Sequence, residues 1–222
     1  ILKIDGQGNL ENKYNISTAP PSQRIIESGK SILTFNDSYI ILGSISQSSA
    51  NGPSNIWLSE YDVSLSDVGD TLWSKTWNLD TYDVPEKIIQ TSDGSFTFAG
   101  YSLNSSGELE FSWMINTDDT GNELSSIILT GGCYIYDFFE NIDGNYIVAG
   151  KKSVGDVFHG WISCIDFQGN QIWESTYGNE ESAEFQSVKQ TTDGGYILTG
   201  EDQLNGTTSI LHVKTDPNGN IN

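Results

Sequence analysis

Apolar and polar residues alternate with a period of two along most of this chain, in short runs separated by turn residues. The run from Phe185 to Thr192 ends at Asp193-Gly194, a pair that tolerates the positive φ of a hairpin turn. Tyr196–Thr199 is the next short run, and Ile210–Thr215 follows after a polar loop. No apolar stripe with the 3.6-residue period is long enough to predict a helix. The pattern therefore predicts an all-β protein.

The same pattern recurs at a nearly fixed distance. The phrase Asp193-Gly-Gly-Tyr-Ile-Leu-Thr-Gly200 has counterparts that end at Gly150, at Gly100 and, in a weaker copy, at Gly43. Each copy reads as strand, Asp-Gly turn, strand, variable loop, strand, Gly-Asn turn and strand, which matches one propeller blade. We predict a single domain over 1–222, a β-propeller of four four-stranded blades of about 50 residues each. The repeats cover approximately 1–16 (partial), 24–78, 83–130, 134–178 and 184–222.

Both terminal repeats are incomplete. Residues 1–16 match a third and a fourth strand, whereas 184–222 supply strands one to three. Either the N-terminal strand completes the last blade and closes a four-bladed ring, or the chain is a segment of a larger propeller. A third arrangement pairs the terminal strands with a second molecule, which would give self-association.

Tryptophans recur at fixed repeat positions. Trp57, Trp113 and Trp161 each stand five residues before an aspartate on a third strand, and Trp73 and Trp173 recur on fourth strands. Large aromatic rings at equivalent positions of successive sheets predict wedges that pack one blade against the next. Trp77 has no counterpart in the other repeats, and we expect it to be partly exposed.

Charge and composition exclude some functions. The chain has 30 acidic and 10 basic residues, a formal net charge of −20, which opposes binding to nucleic acid or to anionic membrane surfaces. No apolar run approaches the length of a transmembrane helix, so we expect no membrane insertion. Cys133 and Cys164 fall on strands that are not neighbours in a blade, which favours buried free thiols. The abundance of Asn, Ser, Thr and Gly, with few Lys, suggests an extracellular or cell-surface protein.

Three strings resemble a known repeat: Thr91–Tyr101, Gln190–Gly200 and Ile165–Gly178. They are similar to the "TxDGGYIxAGxT … DxxGNxxWxxTYGG" repeats of secreted or surface proteins from bacteria and archaea, within the quinoprotein-like propeller class. The resemblance implies a propeller fold and an extracellular module. Asp166–Trp173 is one residue shorter than the quinoprotein docking motif, so the resemblance does not extend to quinone catalysis.

Metal binding is a weaker alternative to ordinary turns. Four Gly-Asn turns place oxygen donors at alternate positions, as calcium loops do, but they lack the distal glutamate of such loops. Asp at the start of a turn bonds its own downstream amides, so turns without metal are favoured. The equivalent turn of the repeat 24–78 is longer and contains Asp62, Asp67 and Asp70. It is the best candidate for a calcium site. We otherwise predict no cofactor.

Candidate ligand-binding residues lie at first strands and variable loops. Carboxylates at or near the starts of first strands would converge if those strands line a central channel, although exposed carboxylates are also expected in so acidic a chain. Tyr101 and Phe158 in the loops offer stacking faces, and His159 adjoins them. The carboxylates are Asp83, Glu86, Asp137 and Glu184.

No sequence motif of a known catalytic class is present, since the chain lacks GxSxG, HExxH, CxxC and P-loop patterns. We therefore expect a non-enzymatic extracellular module that binds carbohydrate or protein or builds a surface assembly. Two alternatives remain. One is a glycoside-acting hydrolase or lyase that uses channel carboxylates, and the other is a structural repeat that polymerises by strand exchange at its ends.

Overall fold

The structure, a computed structural model, describes residues 2–4, 6–7, 9–13, 25–47, 53–62, 70–178 and 181–221. These residues form strands and no helix, so the all-β prediction is confirmed, and within them no helix could cross a membrane. The strands are β1 (Leu2–Ile4), β2 (Leu10–Lys13), β3 (Ile25–Phe35), β4 (Ser38–Gln47), β5 (Ser54–Asp62), β6 (Asp70–Trp77), β7 (Tyr82–Gln90), β8 (Phe96–Leu103), β9 (Leu109–Thr117), β10 (Glu123–Leu129), β11 (Cys133–Glu140), β12 (Tyr146–Val154), β13 (Val157–Ile165), β14 (Gln171–Tyr177), β15 (Ser182–Gln190), β16 (Tyr196–Leu204) and β17 (Thr207–Thr215).

Consecutive strands pair antiparallel in units that follow the predicted repeats. Unit 1 is β3–β6, unit 2 is β7–β10, unit 3 is β11–β14, and unit 4 is β15–β17. Beyond β17, a single bridge joins Thr215 to Ile221. Single parallel bridges, Ser54 to Tyr82 and Phe158 to Ser182, join the units in pairs, so the two large sheets are mixed.

The units are stacked in chain order with their first strands adjacent. β7 lies beside both β3 and β11, and β11 lies beside β15. Ring closure through the N-terminal strand is not seen in the described pairings, because β1 pairs with β2 in a separate two-stranded sheet. The far face of unit 4 is open accordingly. Ile197 is 46% exposed there, although its counterpart Ile147 in unit 3 is fully buried.

The core lies between the units. Three apolar clusters join unit 1 to unit 2, unit 2 to unit 3 and unit 3 to unit 4. Trp57, Trp113 and Trp161 are buried, as the repeat pattern predicts. Trp73 and Trp173 pack against the Gly-Asn turn of the next unit, so their predicted role as wedges is confirmed.

The predictions for Trp77 and for the two cysteines are also confirmed. Trp77 is half-buried, and its Nε1 donates a hydrogen bond to Glu123 Oε2 of unit 2 at 2.9 Å. Cys133 and Cys164 are buried free thiols, and burial raises the pKa of Cys133 to about 11. A thiol with so high a pKa stays protonated near neutral pH and is a poor nucleophile.

Candidate functional site

Each first strand contains a β-bulge at the same repeat position. The pairing register shifts there in β3, β7, β11 and β15. The closing glycine of the repeat lies on the second strand, opposite the bulge. A Cβ atom at Gly150 would lie 1.9 Å from the Tyr134 carbonyl oxygen, and one at Gly200 would lie 1.9 Å from that of Glu184. The glycine is therefore required because the bulged strand approaches it so closely.

The bulges give the site its first residues. The extra residue is Lys30 in β3, Glu86 in β7, Tyr136 in β11 and Gln186 in β15. Lys30 Nζ lies 3.9 Å from Glu86 Oε1. Glu184 accepts hydrogen bonds from the Tyr136 hydroxyl and, at 2.6 Å, from Gln186 Nε2. Bulges redirect side chains and are common beside active sites, and here they bring polar groups of adjacent units together.

Four aromatic rings, those of Tyr101, Tyr134, Tyr136 and Phe158, pack together. The Tyr101 ring centroid lies 4.9 Å from that of Tyr134 and 6.1 Å from that of Tyr136. The Phe158 centroid lies 5.7 Å from that of Tyr134. All four side chains are half-buried, so each retains surface that faces solvent. Strands β8, β11 and β13 supply them, so the rings cover the junction of units 2 and 3.

Lys151, on β12, reaches into these rings. Its Nζ lies 5.0, 5.1 and 5.6 Å from the ring centroids of Tyr134, Phe158 and Tyr136, distances at which a cation is attracted to an aromatic face. The same Nζ lies 2.9 Å from Glu184 Oε2. We name this group the aromatic–carboxylate cluster. Its members are Glu86, Tyr101, Tyr134, Tyr136, Lys151, Phe158 and Glu184.

Burial and nearby carboxylates raise the pKa of two tyrosines in the cluster, Tyr136 and Tyr101. Burial raises the pKa of Tyr136, and the negative charges of Glu184 and Glu86 raise it further. Burial and the charge of Glu86 likewise raise the pKa of Tyr101. Burial also raises the pKa of Glu86, partly offset by Lys30. The charges of Glu86 and Glu184 thus both raise the pKa of the Tyr136 hydroxyl. The cluster as a whole combines hydroxyl donors, carboxylate acceptors and aromatic faces.

Four of the seven predicted ligand-binding residues meet in this cluster: Glu86, Tyr101, Phe158 and Glu184. Asp137 lies on β11 next to Tyr136 but serves to join units. It pairs with Lys87 of unit 2 and accepts hydrogen bonds from Ser187 Oγ and the Val188 amide of unit 4, at 3.0 and 2.9 Å.

The structure does not place Asp83 or His159 in the site. Asp83 is fully buried and accepts hydrogen bonds from the amides of Leu79 and Asp80 and from Ser102 Oγ, so its carboxylate holds the turn before β7 together. His159 follows Phe158 on β13, and its side chain therefore points to the opposite face of the strand.

Two of the three metal candidates stand opposite each other in the register of one strand pair, and the third lies outside the described residues. Asp62 pairs with Asp70 at the ends of β5 and β6, and Asp67 lies outside the described residues. Among described residues no three His, Cys, Asp or Glu side chains form a group that could hold a metal. Asp118 uses its carboxylate to accept hydrogen bonds from the amides of Thr120 and Asn122, as an ordinary turn does.

Sequence reasoning missed three members of the cluster: Tyr134, Tyr136 and Lys151. A signal for Tyr136 was present, because Glu86, Tyr136 and Gln186 each stand 14 residues before the closing glycine of their repeat. Aligning the copies on that glycine places Tyr136 beside Glu86. The same alignment places Lys151 at the repeat position of Tyr101, since each directly follows the closing glycine of its repeat.

No protein-family model matches the chain, and no match was found among curated proteins. Several solved structures are similar. A GH43 β-1,3-galactosidase with galactodeoxynojirimycin has a TM-score of 0.53 at 9% identity, covering 96% of this chain and 80% of that one. An endo-arabinase from Bacteroides thetaiotaomicron has a TM-score of 0.50 at 9% identity, covering 83% and 73%.

A third structure, a protein of unknown function from Bacteroides caccae, has a TM-score of 0.49 at 14% identity. The similarity covers 84% of this chain and 57% of that one, so the chain spans little more than half of that protein. At these identities the similarity concerns the fold alone.

Proposed function

We propose that this chain is a β-propeller module, or a segment of one, that binds carbohydrate at the aromatic–carboxylate cluster. The observation that carries the proposal is the convergence of four half-buried rings with two carboxylates and one ammonium group at the junction of units 2 and 3. Sugars present apolar C–H faces together with a rim of hydroxyl groups. Aromatic faces with adjacent hydrogen-bonding groups complement both features.

The repeat architecture supports the propeller part of the proposal. Sequential antiparallel units with adjacent first strands are the arrangement of propeller blades. Propellers place the first strand of each blade at the central channel, and four of the seven cluster members lie on first strands. The names of two similar structures, an endo-arabinase and a β-1,3-galactosidase, suggest arabinose and β-1,3-linked galactose as sugars to test.

The test is binding of soluble polysaccharides rich in arabinose or in β-1,3-linked galactose, measured by affinity electrophoresis and calorimetry. Tyr136→Ala and Phe158→Ala should each weaken binding at least roughly tenfold, because each removes an aromatic face from the cluster. Tyr39→Ala is the matched control. Tyr39 is a half-buried tyrosine of unit 1 at the turn end of β4, and its loss should leave binding within about twofold of the unmodified chain. Equal binding by all variants would refute the proposed site.

A second candidate function is glycoside hydrolysis. It is favoured by one observation: burial raises the pKa of Glu86, as a proton donor requires, and a second carboxylate, Glu184, acts on the same Tyr136 side chain. Release of reducing ends from the same polysaccharides would support hydrolysis, provided that Glu86→Gln abolishes it. Binding without any release would leave carbohydrate binding as the function.

A further inference from the structure

A cavity of about 200 Å³ lies between units 2 and 3, away from the aromatic–carboxylate cluster. It is found at the Asp-Gly turns, where Asp93 and Ser95 of unit 2 face Glu140 and Gly144 of unit 3. The cluster lies instead beside the bulges, which precede the Asp-Gly turns along the first strands. The two sites therefore use different parts of the same pair of units.

The cavity exists because one wedge of the repeat is missing. Trp73 stands opposite Glu60 beside the bulge of its strand pair, and Trp173 stands opposite Cys164 in the same way. In unit 2 the corresponding residue is Ser125, opposite Asn116. A serine therefore leaves a space that an indole ring occupies at the other two junctions.

The turn glycines show the same difference. A Cβ atom at Gly121 or at Gly219 would lie within 2.6 Å of the ring of Trp73 or Trp173, respectively. At the junction of units 2 and 3 the corresponding Gly169 is contacted by Ile127, whose Cγ2 would be 2.7 Å from such an atom. Ile127 thus takes the place of the indole ring against the turn glycine, and the space beside Ser125 stays open.

Hydroxyl and amide groups line the floor of the cavity. Asn116 Nδ2 donates to Ser95 Oγ and to Thr97 Oγ1, both at 3.0 Å, and Thr97 Oγ1 lies 3.0 Å from the Tyr146 hydroxyl. Ser95, Thr97 and Tyr146 are buried, so the network is fixed before any ligand arrives. Its hydroxyl oxygens have further lone pairs that can accept hydrogen bonds.

Apolar groups complete the lining. Met114 and Ile127 contribute from unit 2, and Phe167 of unit 3 contributes a ring that is 66% exposed. A hydrogen-bonding floor with an apolar wall and an aromatic ring complements a molecule with hydroxyl groups on its rim and C–H bonds on its faces.

The charge of the cavity selects against anions. Asp93 and Glu140 both line it, and the lining contains no Lys, Arg or His. The residue of unit 4 equivalent to Asp93 is Asp193, which pairs with Lys214 at 2.9 Å. The residue of unit 2 equivalent to Lys214 is Asn116, which is neutral and leaves Asp93 without such an ion pair. Glu140 instead accepts hydrogen bonds from the Ser92 amide and hydroxyl. A ligand carboxylate would meet two like charges.

We propose that this cavity is a second binding site, for a single pyranose ring that is either neutral or bears an amino group. It is independent of the aromatic–carboxylate cluster and does not require that cluster to bind carbohydrate.

The test uses galactose, galactosamine and galacturonate, which share a ring and differ in charge, with ligand-observed NMR and calorimetry on the full chain. Galactose and galactosamine should bind, and galacturonate should bind at least roughly tenfold more weakly because of the two lining carboxylates. Equal binding of galacturonate, or no binding of any of the three sugars, would overturn the proposal.

Two variants locate the site. Ser125→Trp combined with Ile127→Ser gives β10 the residues that β14 carries at Trp173 and Ser175, and it should abolish binding by filling the cavity. Phe167→Ala changes only an exposed residue, and it should weaken binding several-fold even if the double variant folds poorly.

The controls separate this proposal from the proposed function. Ser126→Ala changes the next residue of β10, which does not line the cavity, and it should bind as the unmodified chain does. Phe158→Ala disrupts the cluster and should leave monosaccharide binding intact. Binding that is lost in Phe158→Ala but retained in both the filled variant and Phe167→Ala would assign the sugars to the cluster and refute the cavity site.

Discussion

Aspartate begins most Gly-Asn turns because its carboxylate accepts hydrogen bonds from the turn itself. Asp118, Asp166 and Asp216 each accept hydrogen bonds from the amides two and four residues further on. These bonds favour the ionised form, so the pKa of each carboxyl is lowered. The acidic composition of the chain is thus partly explained by turn formation rather than by ligand binding.

The turns should make stability depend on pH in acid. Hydrogen bonds from the Asn122 side chain and backbone lower the pKa of Asp118 to about 2, from an ordinary value near 4. Since the folded pKa is the lower one, the stabilisation by the ionised carboxylate is complete above about pH 4 and is lost as the pH falls towards 2. We expect Asp118→Asn to be less stable than the unmodified chain at neutral pH.

Urea unfolding at several pH values checks this. The difference between the two proteins should shrink below about pH 4 and vanish near pH 2. Asn141, which accepts hydrogen bonds from the amides of Asp143 and Asn145 in a comparable turn, shows that asparagine keeps the geometry. A difference that does not change with pH would contradict an electrostatic origin.

The packing of one unit on the next depends on glycine in the Gly-Asn turn. Gly121 has a φ of 77° and faces the Trp73 ring, and an added Cβ atom would approach that ring to 2.6 Å. Gly107 has a nearly equal φ of 79°, but no atom lies within 4 Å of the position its Cβ would take. Comparing alanine substitutions at the two glycines therefore separates the cost of backbone strain from the cost of crowding the Trp73 ring.

We expect Gly107→Ala to lower the free energy of unfolding by about 1 kcal/mol, the cost of the left-handed conformation for a residue with a side chain. Gly121→Ala should cost about 1–3 kcal/mol more, because the indole must move. Denaturant unfolding of both variants measures the difference. Equal losses would mean that Trp73 repacks freely and does not act as a fixed wedge.

Asp137 links three consecutive units of the molecule through its side-chain contacts. It lies on β11 of unit 3, pairs with Lys87 of unit 2, and accepts hydrogen bonds from Ser187 and Val188 of unit 4. Its side chain is only 7% exposed and that of Lys87 is 24% exposed. Its contribution is therefore to hold successive units in one cooperative structure.

Asp137→Ala should lower the free energy of unfolding by about 3 kcal/mol, since it leaves a half-buried ammonium group and a buried amide without their acceptor. Lys214→Ala is the control, because it removes an ion pair that is exposed on both sides and should cost much less. Chemical denaturation followed by tryptophan fluorescence checks both. A small loss for Asp137→Ala would show that the units are held by their apolar clusters alone.

Much of this architecture could be predicted from sequence because the repeat encodes it locally. Alternation gives the strands, Asp-Gly and Gly-Asn pairs give the turns, and the recurring tryptophans give the packing between units. The site was predictable only in part. Position near strand starts and loops predicts Glu86, Tyr101, Phe158 and Glu184, which the structure brings together. It also predicts Asp83, whose carboxylate accepts hydrogen bonds from the amides of Leu79 and Asp80 instead.

Strand order, unit boundaries and the positions of the wedging tryptophans follow from the residue pattern, because alternation and turn residues act over a few neighbouring positions. Which side chains meet depends instead on how the strands and units pack. Lys151 enters the cluster because β12 lies beside the β11 bulge, and Ser125 opens a cavity because unit 3 packs against a strand without its wedge. The ion pair between Lys87 and Asp137 joins residues 50 positions apart in two units, and no local pattern specifies it.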